Sequence, residues 1–523
     1  MAIFQANNND GFKWHCYGNV FVKGYAFDKS QNYFEGEHLA HLFENTNSAE
    51  TLKSLTASLN GLFCAMGELP WGEFALVDKC RTFPLFYANT GNKTVISDNP
   101  YSIKETNVIR EDSIASYMST GYVTGNRTLF EEIFPVPPFS ILIISKNKQS
   151  IFEYYTYATP TLIDVPFDVA TNQLHCILDQ AMARMVNTLN NRPVAIPLSG
   201  GYDSRFILTW LVTHDYKNVV AFSYGKEGNP DAKVAEKVAR QLGVKWIPVF
   251  YSKALIDGFT SDPNFLPFCH YMSAATSMPF MQDYFAIKEL VRRDLLLPGT
   301  IIIPGHSGDF IAGSHICPSV NSNWSSSEVV NEIFNHHNTT NPITKKQIVE
   351  EKKLIRQLID QIEGLPFTLI ENYNFKERQA KFIINSTRAY SYFGLEYRLP
   401  LWDSDLLAFF KKTPLDFRLN KKLYDKVLQQ HYFTPMNVNF VNQEMQQVKE
   451  SNFDKTKRWL KRLLPVWILK IKPMPDYLNY GLITRRLYKE SNMPKPTNLG
   501  RSRNSGITYW YLHTLIEIFT NRK

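Results

Sequence analysis

The chain lacks the signatures of several functional classes. There is no CxxC pair: the six cysteines, Cys16, Cys64, Cys80, Cys176, Cys269 and Cys317, are scattered. Neither a zinc site nor a disulfide framework is therefore indicated, and they read as reduced thiols. No basic-then-apolar leader opens the sequence and no apolar run is long enough to cross a bilayer, so a soluble, cytoplasmic protein is expected. A strong charge of one sign is missing too. The 57 Lys and Arg against 49 Asp and Glu leave +8 over 523 residues, too mild for a dedicated nucleic-acid binder with its basic residues on one face. What remains is a folded chain with 14% aromatics, long enough for two or three domains with cores of their own.

The sequence is organised around residues 193–213. Residues 194–198 are an apolar run of the right length for a buried strand, Ser199-Gly200-Gly201 turns the chain, and residues 206–212 read as a helix opened by Asp203 and Ser204 as capping types. Strand, glycine turn and helix N-terminus make an anion site, because backbone N–H groups and the helix dipole converge there. The loop has no Lys of the GxxxxGK[ST] kind; it carries Asp203 instead. A carboxylate beside phosphates makes sense when Mg²⁺ sits between them. The same logic recurs at residues 299–313, where a strand-like run leads into Gly305-His306-Ser307-Gly308-Asp309.

Ser199-Gly200-Gly201-Tyr202-Asp203-Ser204 resembles the pyrophosphate loop (SGGxDS) of the N-type ATP pyrophosphatases. Further stretches are similar to asparagine synthetases. Residues 59–63 (LNGLF) with residues 74–78 and 83–87 resemble the glutaminase domain of that family, and residues 122–139 its later segment. Residues 299–313 resemble its second phosphate motif, with Gly305 on the first glycine, Asp309 on the acid and His306 where the family has a substrate-holding Glu. Residues 394–403 (GLEYRLPLWD) resemble its GxExRxPFLD. The resemblance implies ATP and Mg²⁺ as cofactors, with Asp203 and Asp309 as metal ligands and catalytic groups and His306 as a third catalytic position. Leu198, Ser199, Gly200, Gly201, Asp203, Ser204, Tyr224 and Gly305 are implied around the nucleotide. The family's lysine near the reacting carbonyl has two candidates, Lys421 and Lys422; Arg388 could grip a carboxylate or phosphate, or make a structural ion pair.

One departure matters. Glutaminase domains of this family use a cysteine directly after the initiator Met, and here Ala2 stands there; Cys16 lies inside Trp-His-Cys-Tyr and cannot replace it. The expected organisation is thus residues 1–165 as an α+β, degenerate Ntn-hydrolase-like sandwich without its nucleophile. Residues 166–523 follow as an α/β, doubly wound parallel-sheet synthetase domain with a helical C-terminal part. The implied function is an ATP-dependent amide ligase that activates a carboxylate as an acyl-adenylate, releases pyrophosphate and takes ammonia or an amine from elsewhere. The acceptor is a small-molecule or glycan carboxylate, a sugar acid of a surface polysaccharide precursor among them. An intramolecular ligase of the β-lactam synthetase kind and a non-catalytic nucleotide-binding scaffold are the alternatives. Residues 455–472, with Lys455 and Lys472 at the ends and Trp459 and Trp467 within, are basic and amphipathic. They fit either a peripheral membrane contact or a helix packed on the synthetase domain, interrupted by Pro465.

Overall fold

The computed structural model describes residues 2–7, 10–91, 93–103, 108–145, 148–440 and 476–520. Period-two patterning builds the N-terminal region. In Asn60–Leu69, Leu62, Cys64 and Met66 face one core while Phe63 and Ala65 face another, and Ala75 and Val77 alternate likewise with Phe74 and Leu76. This strand pairs antiparallel with Val20–Phe27 and Gly72–Val77 inside a seven-stranded sheet that also holds Ser140–Ser145. One face is covered by the helix Gly36–Glu44 and by Leu52 of Ala49–Ser58. The other face shares a core with the second sheet, of four strands, through Tyr87 and Ile96. In that second sheet Ile3–Gln5 runs parallel to Lys93–Ser97.

The second half is a five-stranded, wholly parallel sheet in the spatial order Lys245–Phe250, Val219–Gly225, Val194–Pro197, Ile301–Ile302, Glu396–Tyr397. Strand order reverses at Val194–Pro197: the chain builds outward on one side, then returns to its other side. The carboxyl ends of Val194–Pro197 and Ile301–Ile302 therefore flank the crevice where ligands bind in open parallel sheets. The helices Phe167–Asn187, Tyr202–Thr213 and Pro230–Gln241 alternate with these strands along the chain, the second starting four residues before the 206–212 run read from sequence. Helical elements dominate from Ser326 to Phe433. Within the polar stretch 323–365 one stripe is buried: Val329, Val330 and Ile333 pack on Ile355 and Ile359.

One expectation is corrected. Asp203 and Ser204 do not cap the helix; it starts at Tyr202 with Gly201 at the N-cap and no side-chain cap. Both side chains are engaged elsewhere. Ser204 Oγ accepts the Ser199 N–H at 3.2 Å, and Asp203 turns toward the second glycine turn.

The two halves are joined at Asn60. Its Nδ2 donates to Asp403 Oδ2 at 2.9 Å while its Oδ1 accepts the Ser404 N–H at 3.0 Å. Asp403 is also gripped by Arg184 from the helix Phe167–Asn187, at 2.8 and 2.7 Å. Glu396 pairs with Arg192 and with Arg398 at 3.0 Å, and Arg398 Nε donates to Thr188 Oγ1 at 2.7 Å. Both residues of the GxExRxP stretch thus hold the last strand to the first helix.

Candidate nucleotide and acceptor site

Two glycine turns from distant parts of the sequence meet at the crevice. Asp203 Oδ2 accepts the backbone N–H of Asp309 at 2.9 Å across 106 residues, and Tyr424 Oη donates to Asp203 Oδ1 at 3.2 Å. The approach requires glycine. A Cβ on Gly305 would lie 2.7 Å from Ser204 N, and one on Gly308 2.6 Å from Tyr424 Oη and 2.8 Å from Asp203 Cγ. Asp309 holds its own carboxylate by accepting the Phe310 N–H at 2.8 Å. A buried pair, Arg418 with Glu371, supports the turn from behind: Arg418 Nη2 donates to Ile311 O at 2.6 Å.

Around this meeting point is a cavity of about 570 Å³. Ser199, Gly201, Asp203, Ser204, Tyr224, Gly305, His306 and Asp309 all line it, so most of the residues named from sequence converge. Two do not. Leu198 is buried with both backbone groups tied to the neighbouring strand, its N–H to Phe222 O and its C=O to Ser223 Oγ. Gly200 is turned away, with its carbonyl accepting Arg205 Nη2 at 2.8 Å. Tyr224 lies flat against Tyr251, ring centroids 5.6 Å apart, and its hydroxyl accepts from Gln282 Nε2 at 2.9 Å.

Charge in the cavity is mixed. Burial, and then the neighbouring Asp309, push the Asp203 carboxyl well above its ordinary range. Burial pushes His306 down to about 4, so its imidazole is neutral at pH 7, and its Nδ1 has no hydrogen-bond partner among the described residues. Lys421 lines the cavity; burial opposes its charge, but Asp425, Asp203 and Asp309 outweigh burial and raise its pKa. Lys422 does not line it, its Nζ lying 4.8 Å over the Phe167 ring. Of the two lysines, the structure brings Lys421 to the site.

Sequence reading missed Tyr424, which holds Asp203, Gln282, which holds Tyr224, and above all Arg378. Arg378 and Gln379 line the cavity from a π-helical stretch, Phe375–Ile383. Such stretches recur at functional sites, but the wider turn breaks the 3.6-residue periodicity by which a helix face is read. Burial lowers the Arg378 pKa, and no carboxylate lies within ion-pair distance of it among the described residues. Arg388, by contrast, is absent from this cavity.

Oxygen donors on two carboxylates suit a hard cation such as Mg²⁺, which is held by one or two carboxylates plus substrate phosphates and not by an all-protein cage. Among the described residues no cluster of three or more His, Cys, Asp or Glu forms such a cage. Asp203 and Asp309, half-buried beside each other so that ionised Asp203 is disfavoured, fit that partial donor set.

A parallel sheet with a glycine turn and a carboxylate at its switch point defines a nucleotide-using α/β protein. The family model for asparagine synthase matches residues 173–483, and the chain belongs to that family. Membership points to an ATP-dependent carbon–nitrogen ligase. No curated protein matches the chain. Among solved structures, it is similar to an ammonia-dependent NAD synthetase from Campylobacter jejuni, with 15% identity, 41% of this chain and 94% of that one covered, and a TM-score of 0.21. A U34-tRNA thiolase from Methanococcus maripaludis gives 14% identity, 55% and 82% coverage, and 0.20. A glutamine phosphoribosylpyrophosphate amidotransferase from B. subtilis gives 10%, 56% and 63%, and 0.20. With overlaps this low, no functional statement rests on the solved structures. No helix among the described residues is long and apolar enough to cross a membrane.

Proposed function

We propose that this chain activates a carboxylate with ATP, releases pyrophosphate and forms an amide with ammonia or an amine. The observation that carries the reading is the contact between Asp203 and the Asp309 turn at the mouth of the crevice. The N-terminus of Tyr202–Thr213, at the end of the Ser199–Gly201 turn, offers N–H groups to the phosphates. Tyr224, on its Tyr251 platform, presents an aromatic face to the base. Asp203 and Asp309 would hold Mg²⁺, which supplies charge neutralisation for pyrophosphate when bound. Lys421 is placed to stabilise charge at the reacting centre, because its pKa is raised and it stays cationic through neutral pH.

The acceptor end of the cavity is cationic. Neutral His306 stands where the family has an acid, and Arg378, lining the same cavity, has no carboxylate within ion-pair distance among the described residues. That pair selects an acceptor with an anionic group and no ammonium to match, unlike free aspartate; a sugar acid of a polysaccharide precursor is the first to test. Residues 1–165 form a degenerate Ntn-hydrolase-like domain in this reading, and residues 166–523 the synthetase. The backbone N–H of Ala2, where the family's cysteine would stand, donates to Glu73 Oε1 at 2.5 Å. A methyl side chain there attacks nothing, so nitrogen enters as ammonia or an amine. Residues 455–472, read as a membrane contact or a packed helix, lie outside the described residues; sedimentation with anionic vesicles at low and high salt separates the two readings.

The decisive experiment is carboxylate-dependent ATP–pyrophosphate exchange, screened over amino acids and uronic acids. Exchange with a uronic acid, and amide formation from it with ammonium but not with glutamine, are expected. Exchange with free aspartate alone, or glutamate release from glutamine, would overturn the acceptor or the nitrogen source respectively.

A further inference from the structure

A second cavity, of about 370 Å³, lies across the short helix Arg388–Tyr392 from the first. Tyr390 faces the nucleotide cavity, whereas Arg388 and Tyr392 face this one. Its remaining walls come from the N-terminal region, with Lys23 and Tyr101, and from the helix Phe265–Ser273, with Tyr271.

The polar groups here fall into two kinds. Lys23, 2% exposed, is matched by Asp10 at 3.0 Å and Asp98 at 3.5 Å. Asp10 further accepts the Tyr271 hydroxyl at 2.9 Å, and Asp98 accepts Trp14 Nε1 at 2.8 Å. These carboxylates are fully occupied within the wall. Arg388 is not matched. It is 6% exposed, its guanidinium lies 4.1 Å from the Tyr271 ring centroid, and its Nη1 reaches Asn385 Oδ1 at a long 3.4 Å. No carboxylate is within ion-pair distance of it among the described residues. Nearby, Arg81 is 1% exposed, and its Nε, Nη1 and Nη2 have no hydrogen-bond partner among those residues. Burial, and then the charge of Arg388, disfavour its cationic form.

A buried guanidinium that faces a cavity with no carboxylate partner, as Arg388 does, is costly unless an anion meets it there; Arg81 does not itself line the cavity. The guanidinium fork matches a planar carboxylate through two parallel N–H···O bonds. Tyr101, Tyr271 and Tyr392 provide ring faces and edges for an apolar body. Two carboxylates against one lysine on the opposite wall count against a dianion such as phosphate. We propose that this cavity binds a small monocarboxylate with an aromatic or apolar body, its carboxylate on Arg388, at a site separate from the nucleotide cavity.

The probe is 4-bromobenzoate, with 4-bromobenzamide as its uncharged counterpart, both offered to the full chain saturated with ATP. Calorimetry should show the acid binding at least tenfold tighter than the amide. Arg388→Gln should erase that difference, while Arg378→Gln, altered in the other cavity, should keep it. A crystal of the unaltered chain soaked with 4-bromobenzoate should place the bromine anomalous peak between Arg388 and Tyr101, which decides the matter even if Arg388→Gln does not fold. Equal binding of acid and amide, loss of discrimination in Arg378→Gln, or bromine solely in the nucleotide cavity or absent would each overturn the assignment.

Discussion

Asp203 accepts the main-chain N–H of Asp309, so the acid of the first turn positions the acid of the second before any ligand arrives. Each should then matter singly. Asp203→Asn and Asp309→Asn are each expected to raise the barrier to pyrophosphate release by about 3 kcal/mol, roughly a hundredfold in rate. ATP–pyrophosphate exchange measures it, and near-normal exchange in either variant would remove that residue from the metal site.

The same arrangement makes Asp203 a liability in the ligand-free protein. Its folded pKa is raised by burial and by Asp309, so the native state binds its proton more tightly than the unfolded state does. The contribution to stability is fully present below the unfolded pKa and is lost as pH rises through the folded one. Asp203→Asn should therefore melt about 1–3 °C above the native chain at pH 8, with the gap closing toward pH 4. Scanning calorimetry across that range checks it; a gap that widens on acidification would contradict the sign.

Gly308 should not tolerate alanine. The added Cβ would sit 2.6 Å from Tyr424 Oη and 2.8 Å from Asp203 Cγ and Oδ1. Relief by Tyr424→Phe removes just one of these contacts. Gly308→Ala is expected to cost about 1–3 kcal/mol in urea unfolding and to lower exchange sharply, with the double variant recovering little. Full recovery in the double variant would place the conflict at Tyr424 alone.

The two lysines should separate cleanly. Lys421 lines the cavity and Lys422 packs over Phe167. Lys421→Met should reduce the exchange rate by about a hundredfold, the scale of one charge-stabilising group, whereas Lys422→Met should leave it within about twofold. The reverse pattern would reassign the catalytic lysine.

Asn60 holds the two halves of the chain together through both ends of one amide. Asn60→Ala leaves the Ser404 N–H and Asp403 short of a partner, at about 1–3 kcal/mol. Lower thermal stability with unchanged exchange at low temperature is expected. Lost exchange in a chain that melts normally would mean that Asn60 acts on the chemistry instead.

How far the site could be read from sequence depended on whether each part was local. The two turns were legible because a strand, a glycine pair or glycine-plus-acid, and a helix start occupy consecutive positions, and the structure brings Ser199, Gly201, Gly305 and Asp309 together. The parallel sheet was legible through strand-like runs leading into the glycine turns, but its two-residue last strand, Glu396–Tyr397, was not. Tyr424 and Arg378 were not. Tyr424 acts from 221 residues beyond Asp203, and Arg378 reaches the cavity through a π-helical turn whose period no amphipathic pattern reports. The capping role expected for Asp203 and Ser204 failed for a related reason: partners at Asp309 and Ser199 outcompeted the helix's own first N–H groups.

The contact at Gly305 and Gly308 also bears on how the protein is made. Each turn has hydrogen bonds of its own, but the two are locked together through Asp203 and the close approach at Gly305 and Gly308, and Tyr424 closes the arrangement from further along. A nascent chain that has emerged only through the Val219–Gly225 strand possesses the glycine loop but no second acid. Nucleotide competence is thus a property of long-range closure, acquired late and all at once. During synthesis the half-built protein has no assembled site with which to consume ATP.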